Sequence, residues 1–137
     1  MTRGLDIMVG TDLSLEALVQ DLNRLWHMAA QPASDEFDTW YEYTDEDTYI
    51  TIGTHEFVND RDMHFEDYRY HIGFWPRWRD SPDEVERWRQ ERVPALYDIL
   101  KEAGRYRLLF VDDVQRKLDE YNPEQESSNQ PRPLGDG

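Results

Sequence analysis

The side chains best suited to chemistry lie between positions 64 and 71, where two histidines are interspersed with carboxylates: His64, Glu66, Asp67 and His71. Imidazole and carboxylate groups can bind zinc or a non-heme metal, and they can exchange protons. The spacing matches no HExxH pair. The His64-x-Glu66 pair resembles the zinc deaminase pattern but cannot be completed, because the chain has no cysteine. The sequence therefore favours surface histidines beside solvating acids, with no metal and no cofactor.

Two further acidic groups stand where functional carboxylates are often found. Asp112 and Asp113 directly follow an apolar run, and strand ends support active sites in many folds. Successive residues of a strand point to opposite sides, so only one of this pair could face a given site, and a turn or helix cap is favoured. Asp60 and Asp62 flank Arg61 but lack the ligand spacing and turn glycine of a calcium loop, which favours a polar turn.

A basic and aromatic segment, Trp75-Pro76-Arg77-Trp78-Arg79, interrupts this acidic sequence. Aromatic rings with arginines can stack on single-stranded nucleic acid. The segment is short and surrounded by negative charge, so we expect its arginines to pair with local acids and its tryptophans to close a sheet over the second helix. No phosphate-binding loop, dinucleotide fingerprint or nucleophile elbow is present, and the sequence predicts no enzyme.

Most of these side chains belong to the segment 37–78, whose alternating pattern predicts three strands. The strands cover residues 37–43, 48–54 and 67–74, and the sequence TDED at 44–47 predicts a hairpin turn between the first two. The predicted core side carries Phe37, Tyr41, Tyr43, Ile50, Ile52, Tyr68, Tyr70 and Ile72. The opposite side is led by Trp40, Glu42, Tyr49 and His71.

The elements before this segment are a strand and a helix. The apolar run LDIMV at 5–9 predicts a buried strand, and apolar residues recur at helical spacing from Leu15 to Ala29. Thr11, Asp12 and Ser14 are all competent caps for this helix. The sequence QPASDE that follows predicts a loop.

A second helix follows the segment. Ser81 and Glu84 match a capping box with Pro82 at the first helical position, which predicts the start of this helix. Pro94 predicts a kink or break near positions 90–93, and Gly104 predicts the end. The sequence RYRLLFV at 105–111 predicts a central strand, and residues 114–121 predict a short helix.

The predicted order is therefore β-α-β-β-β-α-β. This order favours a single α+β domain, with a mostly antiparallel sheet of about five strands and two main helices on one face. The domain is predicted to span residues 1–121. Residues 122–137 have no aromatic residue and are rich in Pro, Gly, Ser and charges, which predicts a disordered tail.

Composition limits the classes of partner. The chain has 137 residues and a formal net charge of -15, which repels polyphosphate and favours rapid capture of a basic protein. The alternative is that the acidity serves only solubility or salt tolerance. The absence of cysteine suits a reducing compartment, and neither a signal peptide nor a membrane span is recognisable, so we expect a cytoplasmic protein.

The side of the sheet opposite the helices is the predicted binding surface. Water does not require Trp and Tyr on such a face, whereas partner surfaces favour them as anchors. Two interpretations stay open: an exposed binding face, or a second core layer covered by loops or the tail. On the first interpretation, the partner-binding residues are Asp38, Trp40, Glu42, Asp45, Glu46, Asp47, Tyr49, Asp60 and Asp62.

The segments LDIMVGTDLSLEALVQDLN, VNDRDMHFEDYRY and RLLFVDDVQ belong to a small, acidic, cysteine-free chain with aromatic strands. In type, over about 120 residues, this chain resembles the immunity proteins of bacterial polymorphic-toxin and contact-dependent inhibition systems. The resemblance implies a cytoplasmic inhibitor that blocks a cognate toxin domain, often a basic nuclease or another nucleotide-directed enzyme. We expect a monomer or weak dimer that binds neither nucleic acid directly nor membrane.

Two other functions are compatible with the sequence. A nucleic-acid mimic or antitoxin-like regulator would place carboxylates at phosphate-like spacing and bind a basic protein. A small hydrolase would use His64, Glu66, His71 or Asp113 in a pocket of converging ionisable groups.

Overall fold

The computed structural model describes residues 4–77 and 81–124. The strands are β1 (Leu5–Gly10), β2 (Gln31–Ser34), β3 (Thr39–Thr44), β4 (Thr48–Thr54), β5 (Tyr70–Pro76), β6 (Arg107–Asp112) and β7 (Arg116–Tyr121). The helices are α1 (Leu15–Trp26), α2 (Pro82–Arg87) and α3 (Val93–Ala103). A 3-10 turn covers Phe65–Asp67, and a π-helical segment, Trp88–Arg92, joins α2 to α3.

The strands form one antiparallel sheet in the order β2-β3-β4-β5-β1-β6-β7. Strand β1 lies inside the sheet, between β5 and β6. Residues Leu5 to Val9 are all buried, which explains why LDIMV is apolar at nearly every position instead of alternating. The predicted α+β class and the mostly antiparallel sheet are confirmed.

Helices α1 and α3 pack on one face of the sheet and enclose the main hydrophobic core. Helix α1 begins after Ser14, whose hydroxyl accepts a hydrogen bond from the Ala17 N–H at 3.2 Å, as its cap pattern predicts. The Trp26 indole N–H donates to the Leu96 carbonyl oxygen of α3 at 3.0 Å. This bond satisfies a buried polar group and ties the two helices together.

The second helical region is irregular in its hydrogen bonding. Pro82 opens α2 as predicted, but the Ser81 side chain makes no capping bond, so the predicted capping box does not form. The π-helical segment ends just before Pro94, which has no N–H to donate back along the helix. The predicted break is confirmed, and α3 ends at Gly104 with φ of 67°.

The described part of the chain forms seven strands, and the prediction of about five was too low. The predicted loop QPASDE contains β2, and the predicted short helix at 114–121 contains β7. Both are edge strands, where polar residues and Pro32 are tolerated and apolar alternation is weak. Asp113 and Val114 have φ of 55° and 48°, and they are the central residues of a turn closed by the Gln115 N–H bond to the Asp112 carbonyl oxygen, within the three-residue connection of β6 to β7.

The face opposite the helices is divided into a covered half and an open half. The loop 55–69 packs over β1 and β6, whereas the described residues leave the face uncovered over β3, β4 and much of β5. The interpretation as an exposed face therefore holds for the open half, and the interpretation as a second core layer holds for the covered half. The covered half is a second core made of Met8, Met63, Phe65, Tyr68, Leu109 and Val111.

Two residues of the predicted core side lie elsewhere. Phe37 is 82 % exposed, because β3 begins only at Thr39. Tyr68 is buried in the second core, because the 3-10 turn precedes β5 and breaks the alternation. The other six pack in or against the main core as predicted: Tyr41, Tyr43, Ile50, Ile52, Tyr70 and Ile72.

Some predictions fall outside the described residues. The predicted tail is described only for Asn122, Pro123 and Glu124, and Trp78 and Arg79 of the basic segment are also outside. Over the two described ranges, no helix is long and apolar enough to cross a membrane.

Candidate functional site

The open half of the sheet contains a groove of about 390 Å³, which we name the aromatic groove. It runs over β4, with Trp40 of β3 on one side and His71 and Trp75 of β5 on the other. The predicted binding residues Asp38, Trp40 and Tyr49 all line it. Its other lining residues are Thr39, Thr51, Ile52, Gly53 and Thr54.

Two glycines allow the aromatic rings to lie close to the sheet. A Cβ added to Gly53 would lie 3.2 Å from the Cβ of Trp40. A Cβ added to Gly73 would lie 2.4 Å from the Trp75 ring, so the indole covers this glycine directly. Glycine inside a strand often marks such a close approach, so Gly53 and Gly73 are the sequence signal of this groove.

Glu42 holds two of the rings in place. Its Oε2 accepts hydrogen bonds from the Trp40 indole N–H at 3.3 Å and from the Tyr49 hydroxyl at 2.8 Å. Burial, followed by the hydrogen bond to Glu42 and the charge of Glu42, raises the pKa of Tyr49. Tyr49 also lies against Trp75, with ring centroids 5.7 Å apart. The predicted grouping of Trp40, Glu42 and Tyr49 on one side of the sheet is therefore confirmed.

The turn between β3 and β4 uses two of its predicted binding carboxylates internally. Asp45 Oδ1 accepts from the N–H groups of Asp47 and Thr48 at 3.0 and 2.9 Å, and Arg92 contacts Asp45 at 3.0 Å. Burial alone would raise the pKa of Asp45, but these hydrogen bonds and the charge of Arg92 outweigh it and lower the pKa. Arg92 also lies 3.9 Å from Asp47. Glu46 is exposed and is the member of this trio that is most open to a partner.

Phe37 is presented on an ordered turn beside the groove. The Asp35 carboxylate accepts from the N–H groups of Phe37 and Asp38, both at 2.8 Å. These backbone hydrogen bonds, that of Asp38 foremost, lower the pKa of Asp35. The turn therefore has internal support, although Phe37 itself is 82 % exposed. The sequence pattern missed this residue as a surface anchor.

Asp60 and Asp62 lie away from the aromatic groove. Arg61, between them, has φ of 53° and donates to the Gln115 carbonyl oxygen at 2.8 Å. Asp62 lies 3.6 Å from Lys117 of β7. Because β7 and β3 are near opposite edges of the sheet, these two carboxylates are not brought together with the groove residues. The favoured polar turn is consistent with this placement.

His71 is paired with a carboxylate that the sequence analysis overlooked. Its Nε2 lies 2.6 Å from Oδ1 of Asp6, a buried residue in the middle of the sheet. Asp6 pairs with Gly73, which lies two residues from His71 on β5, so only the pairing of β1 with β5 reveals that the two side chains are neighbours. Asp6 is the one charged residue in the apolar run LDIMV, and a charged residue in a buried strand indicates a partner side chain.

The remaining members of the predicted histidine and carboxylate cluster are dispersed. Glu66 exchanges hydrogen bonds with Asn59, Asp67 lies 3.9 Å from Arg107, and His64 is exposed. Across residues 4–77 and 81–124, no group of three or more His, Asp or Glu side chains is arranged to hold a metal ion.

Asp112 and Asp113 have separate structural roles. Asp112 is 6 % exposed and contacts Arg89 at 2.7 Å and Arg116 at 3.2 Å. Asp113 belongs to the β6–β7 turn, and its N–H donates to the Gly4 carbonyl oxygen at 3.2 Å. The turn interpretation is confirmed for Asp113.

The described part of the basic segment also departs from its prediction. Trp75 faces the aromatic groove, so it does not close the sheet over the second helix. The Arg77 N–H donates to the Asp47 carbonyl oxygen at 3.1 Å, which fixes the segment to the β3–β4 turn.

His55 supports the loop that forms the second core. The Phe57 N–H donates to its Nδ1 at 3.0 Å, so Nε2 carries the proton and donates to the Tyr68 carbonyl oxygen at 2.6 Å. The ring also stacks on Phe57 at 5.2 Å. Burial foremost, and also the nearby His71, lower the pKa of His55 against the opposing effect of the Tyr68 bond.

This environment predicts a pH-dependent stability. Folding lowers the pKa of His55, so its contribution is fully present above the ordinary value of about 6.5 and is lost as the pH falls below it. Urea unfolding at pH 7 and pH 5.5 should show a smaller loss of stability on acidification for His55→Gln than for the parent. The exposed His64→Gln is the matched control and should behave like the parent. Equal losses in all three proteins would contradict the assignment.

No protein-family model matches the chain, and no curated protein matches it significantly. The fold and the site define an α+β protein with an aromatic groove on a half-open sheet. Inference about function therefore rests on the geometry and charge of this surface.

Proposed function

We propose that this protein is an acidic inhibitor that neutralises a bacterial toxin domain by covering its active or substrate-binding surface. The observation that supports this most is the open half of the sheet. There, an aromatic groove is lined by Asp38, whose turn also carries the exposed Phe37, in a chain of net charge -15. The inhibitor would act in the cytoplasm, without a cofactor.

Exposed apolar side chains support a protein partner. Phe37 is 82 % exposed, Val58 is 69 % exposed and Trp75 is 37 % exposed. Large aromatic side chains at partner surfaces supply much of the binding energy when they enter pockets on the other protein. Phe37 fits this role well, since its turn is already ordered before a partner arrives and little conformational entropy remains to be lost.

Exposed carboxylates without an internal ion pair support a basic partner. Glu36, Asp38, Glu46 and Glu56 are all exposed and not engaged in an ion pair with a described residue. Complementary charge raises the association rate, and apolar anchors lengthen the lifetime of a complex. Asp45 and Asp47 should contribute less, because Arg92 already lies beside them. The same negative charge disfavours direct binding of nucleic acid.

The sheet edges support a monomer or a weak dimer. Strand β7 presents the charged sequence RKLDEY, and the short β2 contains Pro32. Charge and proline at an edge hinder pairing with a second sheet. The proposed complex therefore uses the face of the sheet.

A hydrolase is the second candidate, and one observation favours it: His71 is bonded to Asp6 and lines the aromatic groove. Such a pair could make His71 a general base. We rank it second, since no hydroxyl is hydrogen-bonded to His71 among the described residues. Turnover of p-nitrophenyl acetate that His71→Gln abolishes would support it, and equal slow turnover by both proteins would contradict it.

The proposed function can be tested by growth. The toxin domain encoded by the adjacent gene should stop growth of a bacterial host, and co-expression of this protein should restore it. The variant Phe37→Asp/Trp40→Ala should fail to restore growth at equal soluble expression, whereas His64→Gln should succeed. If the parent protein fails, or if the double variant protects fully, the proposal is wrong.

A further inference from the structure

We infer that the aromatic groove is a receptor for the guanidinium group of one arginine side chain of the partner. This inference rests on the proposed function, which supplies a basic protein partner, and it adds the chemical group that the groove recognises.

The shape of the groove suits a flat cation. Trp40, Tyr49 and Trp75 form its aromatic walls, and the Tyr49 and Trp75 rings are inclined by 37° with centroids 5.7 Å apart. A guanidinium stacks on Trp and Tyr faces better than a compact, strongly hydrated ammonium does. A volume of about 390 Å³ also leaves room for the apolar stem of the arginine side chain.

The charge beside the groove suits the same ion. Glu42 lies beside the groove, where its Oε2 accepts hydrogen bonds from two lining residues, and both donors, Trp40 and Tyr49, are neutral. Asp38 supplies a carboxylate to the lining itself. The described lining residues include no lysine or arginine, so the negative potential there is not neutralised internally.

Comparison with other parts of the surface strengthens this point. Three other grooves are each lined by at least one arginine of the protein itself, such as Arg107, Arg92 or Arg24. Two other carboxylates are neutralised by arginines of the protein itself, since Asp112 contacts Arg89 and Asp45 contacts Arg92. Glu42 has no arginine or lysine partner among the described residues. An arginine side chain of the partner protein would supply the missing positive charge beside the aromatic groove.

The test uses the full chain and a small probe that requires no toxin. Nα-acetyl-arginine amide should shift the indole N–H signals of Trp40 and Trp75 in ¹H–¹⁵N NMR spectra in a saturable way, with Kd on the order of 1–10 mM. The neutral isostere Nα-acetyl-citrulline amide should bind about tenfold more weakly. Nα-acetyl-lysine-amide with a free side-chain amine should also bind more weakly. The absence of saturable shifts, or equal binding of citrulline, would overturn the inference.

A matched pair of variants separates recognition of charge from a structural role. Glu42→Gln keeps an oxygen that can accept from Trp40 and Tyr49 but removes the charge, so it should lose the preference for arginine over citrulline. Glu102→Gln makes the same change at an exposed position of helix α3, away from the groove, and should keep that preference. If Glu42→Gln keeps the preference, Glu42 does not recognise the cation. A toxin that binds tightly to a protein with no arginine preference would overturn this inference and leave the proposed function standing.

Discussion

Replacing Trp40 by alanine should weaken binding of the toxin domain by about 30- to 1,000-fold, which corresponds to an aromatic hot spot of about 2–4 kcal/mol. The indole forms one wall of the aromatic groove, and its N–H is one of the two donors to Glu42. The substitution therefore removes contact area and also loosens the carboxylate. Isothermal titration calorimetry with the purified toxin domain measures the change.

The matched control for Trp40 is an exposed apolar residue on another part of the sheet. Leu118 of β7 is 41 % exposed and lies four strands away from β4. Leu118→Ala should leave the affinity within about twofold of the parent, since residues outside an interface contribute little. If Leu118→Ala and Trp40→Ala lower the affinity equally, the toxin binds elsewhere.

Replacing Trp88 by alanine should lower the free energy of unfolding by about 3–5 kcal/mol. The side chain is 1 % exposed, and its indole N–H donates to the hydroxyl of the fully buried Thr48 at 2.8 Å. Removal leaves a cavity and takes away the donor to the Thr48 hydroxyl, which keeps only its bond to Asp47 among the described residues. In a domain of this size the melting temperature should fall by about 10–20 °C in a circular dichroism melt.

Trp75 provides the control with the same residue type in a different environment. It is 37 % exposed over the aromatic groove, so Trp75→Ala should cost less than about 1.5 kcal/mol of stability. Equal destabilisation by the two substitutions would contradict the division between a buried helix-side core and an open groove.

The elements that the sequence predicts well are those whose periodicity reflects burial on one side or both. Helix α1, strand β1 and strand β4 follow from their apolar spacing. Strands β2 and β7 do not, because edge strands are half exposed and their polar residues resemble those of loops or short helices. Five strands were therefore predicted where the described chain forms seven.

The candidate site was predictable only in part. Alternation places Trp40, Glu42 and Tyr49 on one side of a hairpin, and the structure joins them by hydrogen bonds. No local pattern could pair Asp6 with His71 or Asp45 with Arg92, since these residues are 65 and 47 positions apart in the chain. Such pairs depend on strand order and helix packing.

The division of the open face also required the structure. The sequence leaves two interpretations of the face. Each holds for one half, because the loop 55–69 covers β1, β6 and His71 of β5 but leaves β3 and β4 open. Its apolar residues, Met63, Phe65 and Tyr68, follow no strand or helix period, because an irregular loop can bury side chains at any spacing. The aromatic groove exists because this cover stops short of β4.

The central claim is that the aromatic groove and Phe37 bind a basic toxin domain, and its most direct test is the affinity of one double variant. The toxin domain of the adjacent gene should bind the parent protein tightly, and Phe37→Ala/Trp40→Ala should bind at least about 100-fold more weakly while keeping the melting temperature of the parent. An unchanged affinity in that folded double variant would show that the open half of the sheet is not the binding surface.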